Sequence, residues 1–137
     1  MARRKLSHEE TLVLDSEGLS KTLADDDQVV ALIAEARSRG MEVVISSLTI
    51  IEAVHARTNK SRLNRVLSGL RVVPVGDEEA RAASKLLTEA GSHRHKYAID
   101  AAVAEAALRQ HRPVVMLTSD TDGMVKLRGD RVRLVAV

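Results

Sequence analysis

Short β-branched runs alternate along this chain with longer stretches in which apolar residues return every three or four positions. The first kind predicts strands and the second predicts helices. Thr11-Leu-Val-Leu-Asp15 reads as a buried strand, Glu42-Val-Val-Ile-Ser46 as another, and Pro113-Val-Val-Met-Leu-Thr118 as a third of the same kind. Arg71-Val-Val-Pro-Val75 is less regular, because Pro74 has no N–H to donate and suits a sheet edge or a strand end. Val132-Arg-Leu-Val135 completes the set.

Helical periodicity fills the intervals. Gln28 to Arg39 places Val29, Leu32, Ile33 and Ala36 on one face and stops at Gly40, in the C-cap position. Leu48 to Arg57 follows Ser46-Ser47, a good N-cap pair. Asn59 to Leu70 is a further helix, as is Glu78 to Ala90, capped by Asp77 and ended by Gly91. Lys96 to Gln110 carries alanines around nearly its whole circumference, so it belongs in the interior, close against the sheet. This alternation predicts one α/β domain over residues 11–137, with a central, mostly parallel sheet of about four to five strands flanked by helices. Residues 1–10, with Arg3, Arg4 and Lys5, read as a basic N-terminal tail.

Four acids interrupt the apolar pattern. Asp15 ends the first strand and Asp120 follows Leu117-Thr118-Ser119, where open parallel sheets gather their ligands. Taken singly, each also reads as a helix N-cap or turn acid. Asp100 stands within Ala98-Ile-Asp100-Ala-Ala-Val-Ala, near the start of the most apolar helix. An unpaired carboxylate buried there costs several kcal/mol. The helix dipole returns only about 0.3–1 kcal/mol, so a cation or a cleft opening is expected. Glu52 shares a helix face with Leu48 and His55; a surface glutamate, or one paired with His55 or Arg57, also fits it. If the sheet brings all four together, their charges repel until a cation neutralises them. Oxygen-only donors favour Mg²⁺ or Mn²⁺, which activate water and support in-line attack on phosphorus.

Composition narrows this picture. At 137 residues there is room for one domain with a real core. The absence of cysteine excludes disulfides, thiolate metal sites and cysteine nucleophiles, and is compatible with a reducing cytoplasm. The five histidines lack zinc-finger spacing. No apolar run is long enough for a membrane helix, and no signal-peptide core follows the basic start. A net charge of +2 does not announce nucleic-acid binding, and Tyr97 as the lone aromatic argues against base-stacking modules. Any nucleic-acid contact must therefore rely on phosphate and metal. His93-Arg94-His95-Lys96 reads either as a solvated loop or as a phosphate-contacting rim in which Arg94 and Lys96 touch RNA.

Together these residues resemble the PIN-domain nucleases and, within them, the VapC-type toxins of toxin–antitoxin pairs. Leu12-Val-Leu-Asp15-Ser16 is similar to the family's opening strand and first acid, and Ser47-Leu-Thr-Ile-Ile-Glu52 to its second. The alanine-rich helix with Asp100 resembles the third, and Leu117-Thr-Ser-Asp120 the fourth. The resemblance implies metal-dependent endoribonuclease activity without a covalent intermediate. It makes Asp15 and Asp100 the principal ligands of Mg²⁺ or Mn²⁺, with Asp120 completing the sphere and Glu52 orienting water or a second ion. Thr118 and Ser119 would hydrogen-bond the carboxylates. Many relatives carry another acid where this chain has Gly123, so the fourth position falls to Asp120 or to Asp122, the latter alternatively capping the next helix. A cognate antitoxin and a homodimer are implied as partners. The other reading open to the sequence is a PIN-like fold acting as a non-catalytic protein- or RNA-binding module.

Overall fold

The computed structural model describes residues 9–91, 97–128 and 131–137. Five strands, β1 (Thr11–Leu14), β2 (Glu42–Ser46), β3 (Arg71–Val73), β4 (Val114–Thr118) and β5 (Val132–Ala136), form one sheet in the order β3-β2-β1-β4-β5. Every neighbouring pair runs parallel. Seven helices are described: α1 (Ser16–Leu23), α2 (Asp27–Ser38), α3 (Ser47–Ala53), α4 (Lys60–Ser68), α5 (Asp77–Glu89), α6 (Ala98–Leu108) and α7 (Thr121–Arg128). None is long and apolar enough to cross a membrane.

Period-2 alternation divides the strand side chains between two cores. Leu12, Leu14, Ile45, Val115 and Leu117 face Leu19 of α1 and Val29, Leu32 and Ile33 of α2. Val13, Val44, Met116 and Val132 face Val103, Ala104 and Ala107 of α6 and Met124 of α7. Each fully buried leucine or valine here contributes roughly 1.5–3 kcal/mol relative to exposure. β3 is an edge strand that ends just before Pro74, as the missing donor requires.

Several local expectations need correction. α1 has no counterpart in the hydrophobic pattern: only Gly18 and Leu19 are buried within it, and the Asp15 cap rather than an apolar stripe marks its start. The helix after β2 ends at Ala53 instead of Arg57. There Thr58 Oγ1 accepts from His55 N–H at 3.0 Å and His55 Nδ1 from Arg57 N–H at 3.1 Å, a turn that competes with helical bonding. His55 therefore does not share a helix face with Glu52. Gly76, rather than Asp77, is the N-cap of α5, and its N–H donates to Glu79 Oε1 at 2.8 Å. Lys96 lies outside the described residues, and α6 stops at Leu108 before Gln110.

Candidate active site

Strand order reverses between β1 and β4, because β2 lies on one side of β1 and β4 on the other. In parallel α/β sheets such a reversal opens a crevice beyond the carboxyl ends of the strands. Asp15 stands at that point, immediately after β1, and its N–H donates to Leu117 O at 3.1 Å. Thr118 ends β4 directly beside it, and Ser119 follows the strand.

Asp15 is only 4% exposed. Its carboxylate caps α1, with Oδ1 accepting from Gly18 N–H at 2.8 Å and Oδ2 from Ser119 N–H at 3.3 Å. The Thr118 hydroxyl also bonds it. Burial pushes its pKa above the ordinary 3.8, and these donors, by favouring the charged form, offset part of the rise. Ser119 thus contributes its backbone N–H. Thr118, fully buried, serves both acids of the pair, since its Oγ1 accepts from Asp120 N–H at 3.0 Å.

Asp100 lies in the first turn of α6, half-buried. Burial raises its pKa, and the charges of Glu52, Asp15 and Asp120 raise it further, to about 6. Glu52, Asp15 and Asp120, separated in sequence, therefore lie close enough to Asp100 for their charges to reach it. Glu52, near the end of α3, is exposed and has no hydrogen-bond or ion-pair partner among the described residues, so pairing with His55 or Arg57 does not account for it. Asp120 caps α7, with Oδ1 accepting from Gly123 N–H at 2.9 Å. Asp122 is exposed in the first turn of α7 and does not cap it. A β-carbon at position 123 would collide with the Asp120 carboxylate, so glycine there permits the capping geometry.

The acids converge electrostatically without forming a ready-made cage: among the described residues no three His, Cys, Asp or Glu side chains are already grouped as metal ligands. The donor set nonetheless suits a hard divalent cation, being all carboxylate with mutual repulsion to relieve. The backbone N–H of Gly18, which fixes Asp15, escaped the sequence reading, although an Asp three residues before a helical glycine signals such a cap. The buried hydroxyls of Ser16 and Thr49, on the elements that carry Asp15 and Glu52, also escaped it, and neither has a hydrogen-bond partner among the described residues. Arg94 and Lys96 lie outside the described residues.

Comparison with known proteins adds two findings. The sequence model of the PIN domain matches residues 12–129. Among solved structures, the crystal structure of VapBC2 from Rickettsia felis bound to a DNA fragment from their promoter is similar at a TM-score of 0.70 and 14% sequence identity, covering 93% of this chain and 98% of that one. That likeness is one of fold. No curated protein matches the sequence.

Proposed function

Because the chain belongs to the PIN-domain family, we propose that it is a Mg²⁺- or Mn²⁺-dependent endoribonuclease, the toxin of a VapC-type toxin–antitoxin pair acting in the cytoplasm. The observation that carries this reading is the convergence of the Glu52, Asp15 and Asp120 charges on Asp100. Like charges accumulate at a folding cost, and a polyanion-cleaving site fed by a divalent cation gives that cost a use. The toxin assignment draws support from the fold shared with the VapBC2 structure. It carries with it a cognate antitoxin and a homodimeric chain as partners.

Asp15, Asp100 and Asp120 would hold the cation, which would lower the pKa of bound water and offset charge developing at phosphorus. The chain itself supplies preorganisation. Gly18, Thr118 and Ser119 fix the Asp15 carboxylate before any ligand arrives. Asp100 is presented from a helix whose next seven residues are all buried, so its backbone cannot drift. Glu52, exposed on α3, would orient an attacking water.

Purified wild type should cleave RNA with Mg²⁺ or Mn²⁺ and stop when the ions are chelated. Asp15→Asn and Asp100→Asn should each reduce cleavage by more than about a hundredfold, since even the outer partners of metal sites are worth 10–100-fold. Cleavage by both variants at the wild-type rate would assign the activity to a contaminant or to other residues, whereas a wild type that cleaves no RNA would leave a binding module in its place.

A further inference from the structure

The geometry points to a phosphate-binding subsite for the RNA strand in a cleft between the C-terminal half of α1 and the turn joining α3 to α4. The inference rests on the nuclease reading above and adds where the substrate backbone runs. The cleft encloses about 330 Å³, and none of its described lining residues is acidic. Ser20 and Ala53 form part of its wall, and His55, Arg57, Asn59 and Arg62 supply the polar groups.

Each polar group is available or fixed in a useful way. Arg57 is exposed, and its guanidinium has no ion pair or hydrogen bond among the described residues. Its backbone N–H is donated to His55 Nδ1, which leaves the His55 proton on Nε2 as a donor. The turn that carries both is tied at two points, His55 N–H to Thr58 Oγ1 and Thr58 N–H to His55 O, each at 3.0 Å. Arg62 is anchored across the cleft, with Nε donating to Leu23 O at 2.6 Å and Nη2 paired with Asp25 Oδ1 at 2.5 Å. Asp25 offsets the charge of Arg62, which keeps its remaining N–H groups for a phosphate oxygen, so the exposed Arg57 is the cation on which the subsite depends.

Location connects this cleft with the acids. Ala53, on its wall, is the chain neighbour of Glu52. α1 begins beside Asp15 and runs eight residues to Leu23, about 12 Å at 1.5 Å per residue. A strand whose scissile phosphate sits among four carboxylates meets repulsion there, and a basic flank within a few nucleotides offsets it. An acidic peptide is the less suited occupant, because the wall offers small alanines rather than a deep apolar pocket for an anchoring side chain.

The test measures anisotropy of a labelled mixed-sequence single-stranded RNA on full-length Asp100→Asn protein, which should bind without cutting. Adding Arg57→Ala should weaken binding several-fold, and Arg57→Glu more, with the slope of log affinity against log salt falling by about 0.7 for one lost phosphate contact. Lys85→Glu, on α5 at the opposite face of the sheet, should change neither quantity. In the cleavage-competent protein, Arg57→Ala should raise KM and leave kcat nearly unchanged. Equal melting temperatures for parent and variants would show that folding is not what changed. Unaltered affinity and salt slope in Arg57→Glu overturn the subsite while leaving the nuclease intact, whereas a wild type that cleaves no RNA removes both. Arg57-dependent binding of a polyglutamate peptide with none of RNA overturns it in favour of a protein partner.

Discussion

Asp100 shows how the burial of one side chain makes stability depend on pH. Its carboxyl titrates at about 6 in the fold against 3.8 ordinarily, so the folded chain holds the proton more tightly than the unfolded one. Below pH 4 the group is protonated in both states and costs nothing. Between roughly pH 4 and 6 that advantage is lost, and above it the fold carries a reluctant charge. The shift would convert to about 3 kcal/mol, reduced by solvent screening of a half-exposed group to about 1 kcal/mol. Metal-free Asp100→Asn should therefore melt a few degrees above wild type at pH 7, and the gap should close near pH 4. Thermal unfolding across that range decides it, and a gap independent of pH would mean that the asparagine acts by packing instead.

Among the elements, α6 makes the sharpest demand on its side chains. Residues 101–107 are all buried, including Glu105, whose carboxylate pairs with Arg109 at 2.6 Å while Oε1 has no hydrogen-bond partner among the described residues. Removing only the arginine leaves a buried charge alone, whereas removing the acid leaves a cation that is 38% exposed and able to reach water. Arg109→Ala should cost about 2–3 kcal/mol and Glu105→Leu much less. Urea unfolding of the two variants and the double change would show it, and equal losses would contradict it. α3 depends on a single cap: Leu48 N–H donates to Ser46 Oγ at 3.2 Å, and Ser46→Ala should lower stability by about 1 kcal/mol. Glu52 rides on that helix, so activity should fall along with the melting temperature.

At the scale of the molecule, Asp15 and Asp120 follow the two strands between which the order reverses, and the repulsion they and Glu52 exert on Asp100 is a property of the assembled fold alone. Millimolar Mg²⁺ or Mn²⁺ should raise the melting temperature of wild type and not that of Asp15→Asn or Asp100→Asn. A wild type indifferent to both ions by calorimetry would count against the site. The PIN match ends at residue 129, yet β5 pairs with β4 along Val132 to Ala136 and buries Val132 and Val135. Deleting residues 132–137 should expose the β4 edge and two apolar cores, giving insoluble or unfolded protein by size exclusion and circular dichroism.

Period-2 and period-3.6 patterns were enough to place five strands, five of the seven helices and the parallel class, because burial on two sheet faces leaves its rhythm in the residues themselves. Asp100 stood out for the same local reason: an acid within an alanine-rich helix is costly wherever that helix goes. α1 was not legible, since its start is set by one capping carboxylate and its packing by Gly18 and Leu19 alone. The early end of α3 was hidden too, because the His55–Thr58 turn wins through side-chain hydrogen bonds that no periodicity records. Only the tertiary structure could decide which acids meet. Strand order set Asp15 against Thr118 and let Glu52 and Asp120 act on Asp100, and such a juxtaposition depends on distance in space, which sequence spacing does not contain.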